Sequence, residues 1–149
     1  MGRIIAFDYG TKRIGVAVTD TMQIIATHLR VMSDMDVIPF LKVYIEREDV
    51  DCFVVGEPKQ MDNTPSQSAA AVHRFCNRLR KSFPDIDVFM VDERFTSKIA
   101  SQTIAQGGLK KEKKRDKSLI DKISAVLILQ SFMSMSKENR VKYYDTTNS

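Results

Sequence analysis

The chain has 149 residues, 43% of them hydrophobic and 28% charged, which predicts a single globular domain. A formal net charge of +4 and a pI near 9.1 favour polyanionic partners only mildly. Every apolar run is shorter than the roughly 20 residues of a membrane span, and the N-terminus lacks a signal-peptide layout. Cys52 and Cys76 stand in apolar patterns, typical of reduced core thiols. We therefore expect a cytoplasmic protein without a membrane partner.

The first third of the chain predicts three strands followed by a helix. Residues 3–9 and 13–19 are apolar runs joined by the tight turn YGTK, and a third strand is expected over residues 22–31. Residues 35–48 then carry apolar side chains at helical spacing, with Pro39 placed in the first turn.

The rest of the chain alternates strands with helices. Residues 51–56 and 86–91 are continuously apolar, as strands covered on both faces are. The segment TPSQ predicts a helix start between them, with an apolar stripe that consists of Val72, Phe75, Cys76, Leu79 and Phe83. Another helix is expected after Thr96, and a last, largely apolar one over about 119–133.

This order of elements predicts an α/β fold with a mixed five-stranded sheet flanked by helices. Strand–helix–strand units place the strands 51–56 and 86–91 parallel to the first strand, whereas the three leading strands are antiparallel. We expect one domain over residues 1–136 and a polar, flexible tail over residues 137–149.

Acidic residues follow the ends of the predicted parallel strands. Asp8 ends the first strand, and Asp92 and Glu93 end the last, at the edge where such sheets bind ligands. Asp121, near the start of the last helix, could join them. Three converging carboxylates repel one another unless cations are present, so this set predicts a two-ion Mg²⁺ or Mn²⁺ site able to cleave phosphodiesters. The alternative is structural: Asp8 in a turn, and Asp92 and Asp121 as caps.

The segments FDYGTKRIGVAV, VVGEPKQMD, VDERFTS and IDKISAVLILQ, in this order, resemble the YqgF family over about residues 3–133. Members of that family are RNase H-like proteins described as Holliday junction resolvases and as nucleases that trim the precursor of 16S ribosomal RNA. The resemblance implies an RNase H-like fold, with Asp8, Glu93 and Asp121 as the catalytic metal ligands. It also implies metal-dependent hydrolysis of structured nucleic acid, most simply at the 5′ end of precursor 16S rRNA. Glu57 departs from the family's hydrophobic residue in the turn after the fourth strand, and either adds a carboxylate or faces water.

Basic residues near these acids are candidates for binding nucleic acid. Lys12 and Arg13 follow Asp8 in the turn, and Arg94 follows Glu93. A basic segment after Gly107-Gly108 is either a phosphate clamp or a solvated loop. Its cationic residues are Lys110, Lys111, Lys113, Lys114, Arg115 and Lys117.

Three other functions remain open at this point. A Holliday junction resolvase would need a symmetric dimer to cut two strands together. A non-catalytic nucleic-acid-binding factor for ribosome assembly could use the same acids for a structural magnesium. The motif Asp-x-Gly-Thr also resembles the phosphate loop of actin-like ATPases and sugar kinases, although those need two such lobes. The expected partners are precursor rRNA or branched DNA, and ribosomal particles; the oligomeric state is open.

Overall fold

The computed structural model describes residues 2–10, 12–57, 69–92 and 117–144, apart from the side chains of 117–122. The elements in these ranges are β1 (Arg3–Tyr9), β2 (Ile14–Thr19), β3 (Ala26–Met32), α1 (Asp34–Arg47), β4 (Val50–Glu57), α2 (Ala69–Ser82), β5 (Asp87–Asp92), α3 (Lys117–Ser134), a 3₁₀ helix (Lys137–Asn139) and β6 (Val141–Lys142). The predicted helix start at TPSQ and the predicted helix after Thr96 lie outside the described residues.

The strands form one mixed sheet in the order β3-β2-β1-β4-β5-β6. The first three strands pair antiparallel in succession. β4 is parallel to β1, and β5 is parallel to β4, as the intervening helix requires. The predicted α/β class, and the predicted division into antiparallel and parallel strands, are confirmed.

The sheet has six described strands rather than the five predicted, because β6 pairs antiparallel with β5. β6 lies in the segment 137–149 that was expected to be a flexible tail. The residue after it, Tyr143, is buried, and its backbone N–H donates to the carbonyl of Val88 at 2.7 Å. The Tyr143 hydroxyl also donates to Oδ1 of Asn77 at 2.8 Å. Residues 137–144 are thus tied to the fold by contacts distant in sequence.

The third strand begins at Ala26 rather than at residue 22, because a turn occupies residues 20–25. The Asp20 carboxylate accepts hydrogen bonds from the backbone N–H groups of Ile24 at 2.7 Å and Ile25 at 2.8 Å. Gln23 has a φ of 58°, in the left-handed region that an extended strand excludes.

Pro39 lies inside α1 rather than in its first turn, because the helix begins at Asp34 after the N-cap residue Ser33. The Asp36 N–H donates to the Ser33 carbonyl at 3.1 Å, and the Ser33 hydroxyl donates to the Asp36 carboxylate at 2.9 Å. Pro39 therefore leaves one backbone carbonyl of the preceding turn without its helical hydrogen bond.

Two hydrophobic clusters cover the two faces of the sheet. The paired-helix face is covered by α1 and α2, and its central residues are Ile5, Phe7, Phe53, Val55, Val88 and Met90, packed against Val37, Leu41, Val72, Phe75, Cys76 and Leu79. The single-helix face is covered by α3, and its residues are Ile4, Ala6, Ala17, Cys52, Val54 and Val91, packed against Ala125, Ile128, Leu129 and Phe132.

Candidate active site

Asp8 lies at the carboxyl edge of the sheet, on the single-helix face. It is the penultimate residue of β1, is half-buried, and is in register with Gly15 of β2. Alternate residues of a strand point to the same face, so Asp8 follows Ile4 and Ala6 toward the side that α3 covers. The strand pairing on both sides of β1 holds this carboxylate on a rigid element.

α3 brings the backbone of Asp121 to the same face. Ala125, Ile128 and Phe132 are buried against the sheet, and their spacing places them along one side of the helix. Position 121 precedes Ala125 by one helical turn on that side. The side chain of Asp121 lies outside the described residues.

A tight turn connects β1 to β2 beside Asp8. The Gly10 N–H donates to the carbonyl of Arg13 at 3.0 Å. A Cβ at position 10 would lie 2.6 Å from that carbonyl oxygen, so the turn needs glycine there. Lys12 is exposed and Arg13 is half-exposed, which places both predicted phosphate contacts at this edge.

Glu57 and Asp92 end β4 and β5, and they are partners in the strand register. Strand alternation groups them with Val55 and Met90, on the paired-helix face and away from Asp8. Burial, together with the nearby Glu57 charge, raises the pKa of the Cys76 thiol to about 12. The two carboxylates thus share the edge of the sheet with Asp8 but belong to its other face.

Within the described residues, no three His, Cys, Asp or Glu side chains lie close enough together to hold a metal ion. Glu93 and the side chain of Asp121, two of the three predicted ligands, are not among these residues. Several predicted phosphate contacts also lie outside them, namely Arg94, Lys110, Lys111, Lys113, Lys114 and Arg115. None of the described helices is long and apolar enough to cross a membrane.

A cleft of about 420 Å³ adjoins the same edge on the paired-helix face. It is lined by Tyr9, Asp34, Ala71, Arg74, Asn77, Arg78 and Lys81. This cleft was not predicted from the sequence, although Arg74, Arg78 and Lys81 of the segment RFCNRLRK follow one another at spacings of four and three residues. That spacing places basic side chains along one side of a helix, so the signal was present.

Tyr9, Asp34 and Arg78 are linked inside this cleft. The Tyr9 ring packs against Phe75 with a centroid separation of 4.9 Å. Asp34 forms an ion pair with Arg78, whose guanidinium lies over the Phe75 ring. Burial, followed by the charge of Asp34, raises the pKa of the Tyr9 phenol. The hydrogen bond that the Tyr9 hydroxyl donates to Asp34 shifts this pKa in the same direction.

The strand order, the helices on both faces and the carboxylate at the end of the first strand define an RNase H-like α/β protein. The fold is similar to that of RuvC from Thermus thermophilus in complex with a Holliday junction substrate, with a TM-score of 0.56. The two chains are 15% identical, and the similarity covers 96% of this chain and 100% of RuvC.

The chain belongs to the RuvX (YqgF) family, whose model, described as Holliday junction resolvase, matches residues 2–135. A relative from Christiangramia forsetii, named "Putative pre-16S rRNA nuclease", is 51% identical over 133 residues, which is 89% of this chain and 98% of the relative. A relative of the same name from Parabacteroides distasonis is 49% identical over 137 residues, 92% of this chain and 98% of the relative. The resemblance seen in the sequence motifs is confirmed.

Proposed function

We propose that this protein is a metal-dependent nuclease that processes the 5′ end of precursor 16S ribosomal RNA. The observation that carries the proposal is the position of Asp8, a half-buried carboxylate at the carboxyl edge of the sheet, on the face that α3 covers. Membership in a family of nucleases supports the reaction. The names of the relatives support the substrate. This substrate would place the protein in the cytoplasm, with ribosomal particles as partners.

Asp8, Glu93 and Asp121 are the proposed metal ligands and catalytic residues. Asp8 is on the single-helix face, and so is Val91, which precedes Glu93 by two residues in the sequence. Because strand alternation repeats every second residue, the sequence favours the same face for Glu93. Position 121 lies on the side of α3 that packs on this face. The proposal therefore needs three carboxylates on one face, drawn from three distant segments.

The chemistry of these donors fits Mg²⁺ or Mn²⁺, because both ions prefer carboxylate and water oxygens. A pair of divalent ions bound there would stabilise charge on the attacking and leaving oxygens of a phosphodiester and lower the pKa of a water molecule. The residues of the chain hold and orient the reactants. β1 fixes Asp8 through its pairing with β2. Lys12 and Arg13, in the turn that follows, would bind phosphates near the reacting one.

The remaining basic candidates extend this binding surface in the proposal. Arg94 follows a proposed ligand in the sequence, and Lys110, Lys111, Lys113, Lys114 and Arg115 form the proposed phosphate clamp. Reversing the charge of four lysines in the segment 110–117 should flatten the dependence of binding on salt, by about 0.7 in slope for each lost contact to single strands. An unchanged slope would remove this segment from the binding surface.

The nuclease proposal is tested by incubating the purified protein with labelled precursor 16S rRNA and a labelled four-way DNA junction in parallel. Each reaction contains Mg²⁺ or Mn²⁺, with an EDTA reaction as control. We expect cleavage on the 5′ side of the mature RNA end, and none with EDTA. Binding of RNA without any cleavage would overturn the nuclease proposal in favour of a non-catalytic assembly factor.

Holliday junction resolution is the second candidate, favoured by the description of the matching family model. Cutting two strands of a junction together needs a symmetric pair of active sites. Cleavage of the junction but not of the RNA, by a protein that sediments as a dimer, would favour this function.

A further inference from the structure

The cleft beside Tyr9 has an excess of positive charge. Three of its lining residues are cations, Arg74, Arg78 and Lys81, whereas Asp34 is the acid among its described lining residues. Arg78 is engaged by Asp34. Arg74 and Lys81 are exposed, and they form no ion pair with any residue in the described ranges. Two exposed cations, about two helical turns apart, are therefore available to an anionic ligand.

The wall that carries these cations is held firmly. α2 is anchored by Val72, Phe75 and Leu79, which are fully buried against the sheet. Asn77 accepts a hydrogen bond from the Tyr143 hydroxyl, so the amide group of Asn77 is oriented by the C-terminal segment. Because α2 cannot rotate without exposing its apolar stripe, the side of the helix that carries Arg74 and Lys81 stays turned toward the cleft.

The cleft and the proposed active site lie at the same edge of the sheet but on its opposite faces. Tyr9 and Asp8 are neighbours at the end of β1, about 3.3 Å apart along the strand but directed to opposite faces of the sheet. The exposed residue Lys12 lies in the turn that follows them. A polyanion that crosses the edge of the sheet at this turn would reach Asp8 on one face and the cleft on the other.

We propose that this cleft binds the phosphodiester backbone of single-stranded nucleic acid, at phosphates next to the one presented to Asp8. Arg74 and Lys81 would contact successive phosphates, and Asn77 would add a neutral donor. A series of cations along a helix matches a polyphosphate chain better than it matches a single anion, and guanidinium groups pair well with phosphate oxygens. This inference rests on the proposed function, since it assigns the path of the nucleic-acid strand to the active site. The binding itself does not depend on cleavage.

The test compares two double variants with the same charge change. Arg74→Ala/Lys81→Ala removes the free cations of the cleft, and Lys42→Ala/Arg47→Ala removes two exposed cations from α1, outside the lining residues. The probe is a short fluorescein-labelled single-stranded RNA, and its anisotropy gives the Kd over a range of salt concentrations in EDTA. Circular dichroism checks that both variants are folded.

We expect the cleft variant to bind more weakly, with a salt-dependence slope smaller in magnitude by about 1.4, the value for two phosphates of a single strand. The α1 variant should keep the slope of the unmodified protein. Equal slopes for both variants, or no RNA binding by the unmodified protein, would overturn the proposal. Because EDTA prevents metal-dependent cleavage, this assay measures binding alone. Binding through the cleft in EDTA, together with no cleavage when Mg²⁺ or Mn²⁺ is supplied, would refute the nuclease proposal but not the cleft proposal.

Discussion

The two faces of the sheet differ in the size of the side chains that fill them. The paired-helix face is packed with aromatic rings, such as Phe7 against Phe75 at a centroid separation of 5.3 Å. The single-helix face instead has alanines where β1, β2 and α3 meet, namely Ala6, Ala17 and Ala125. The spacing of packed elements depends on the side chains between them, so small residues allow α3 to approach the strands closely. One face thus buries large apolar area, whereas the other positions a helix beside Asp8.

The largest effect that this comparison predicts is the loss of activity in Asp8→Asn. The variant keeps the shape of the side chain but removes a proposed metal ligand. Metal ions supply several kcal/mol of transition-state stabilisation, so cleavage of precursor rRNA should slow by roughly 10²- to 10⁴-fold. The matched control is Asp92→Asn, which changes a strand-end aspartate of the paired-helix face. Equal losses of activity in both variants would contradict the assignment of the active site to the single-helix face.

The second prediction concerns the stability that the aromatic face provides. Phe75 is fully buried and packs against both Phe7 and Tyr9. Phe75→Ala should lower the free energy of unfolding by about 3–5 kcal/mol, as measured by urea denaturation. Val43→Ala, at a half-exposed position of α1, should change it by less than about 0.5 kcal/mol. If Phe75→Ala were as mild as this control, the aromatic cluster would not be the main source of stability.

The third prediction tests whether small residues are needed beneath α3. Ala125→Leu should cost about 1–3 kcal/mol by overpacking, and it should push α3 away from the sheet. Val72→Phe adds comparable bulk on the paired-helix face. At a temperature where both variants are folded, cleavage should fall in Ala125→Leu and persist in Val72→Phe. Retained activity in both would mean that the position of α3 is not critical.

The smallest expected effect is on RNA binding by the cleft. Asp34→Asn removes an acid from the cleft lining and releases Arg78, so single-stranded RNA should bind about two- to fivefold more tightly, consistent with the modest energy of partly exposed ion pairs. Asp36→Asn neutralises another acid in the first turn of α1, outside the cleft, and should leave the Kd nearly unchanged. Anisotropy in EDTA measures both values. An equal gain in the two variants would point to general electrostatics instead.

The sequence predicted the central strands well, because β4 and β5 are buried on both faces and consist of continuous apolar runs. β3 was placed too early because Met22, Ile24 and Ile25 imitate a strand, yet each is more than 60% exposed in the turn that Asp20 holds together. β6 could not be found by periodicity, since it has two residues and depends on pairing with β5. Short elements of this kind are determined by contacts that are distant in the sequence.

For the site, the sequence located strand ends but not faces. Asp8 and Asp92 were expected at one edge, and Glu57 was left either to add a carboxylate or to face water. Asp92 and Glu57 end their strands at this edge, and Asp8 is one residue from the end of β1. Two of these side chains share a face only if their positions along the strands, counted in the alignment of neighbouring strands, are both even or both odd. That alignment is known only once the fold is known. The cleft likewise forms because α2 lies beside the end of β1. The spacing of basic residues along α2 does not predict that position.

The two native thiols have a practical consequence for studying this protein by spectroscopy. Cys52 and Cys76 are buried on opposite faces of the sheet, and burial raises the pKa of each to about 12. Alkylating reagents attack the thiolate, so both cysteines should resist maleimide near neutral pH. A cysteine introduced at an exposed position, for example by Lys42→Cys, would then take up a fluorophore or spin label selectively. Single-site labelling therefore does not require the native cysteines to be replaced first.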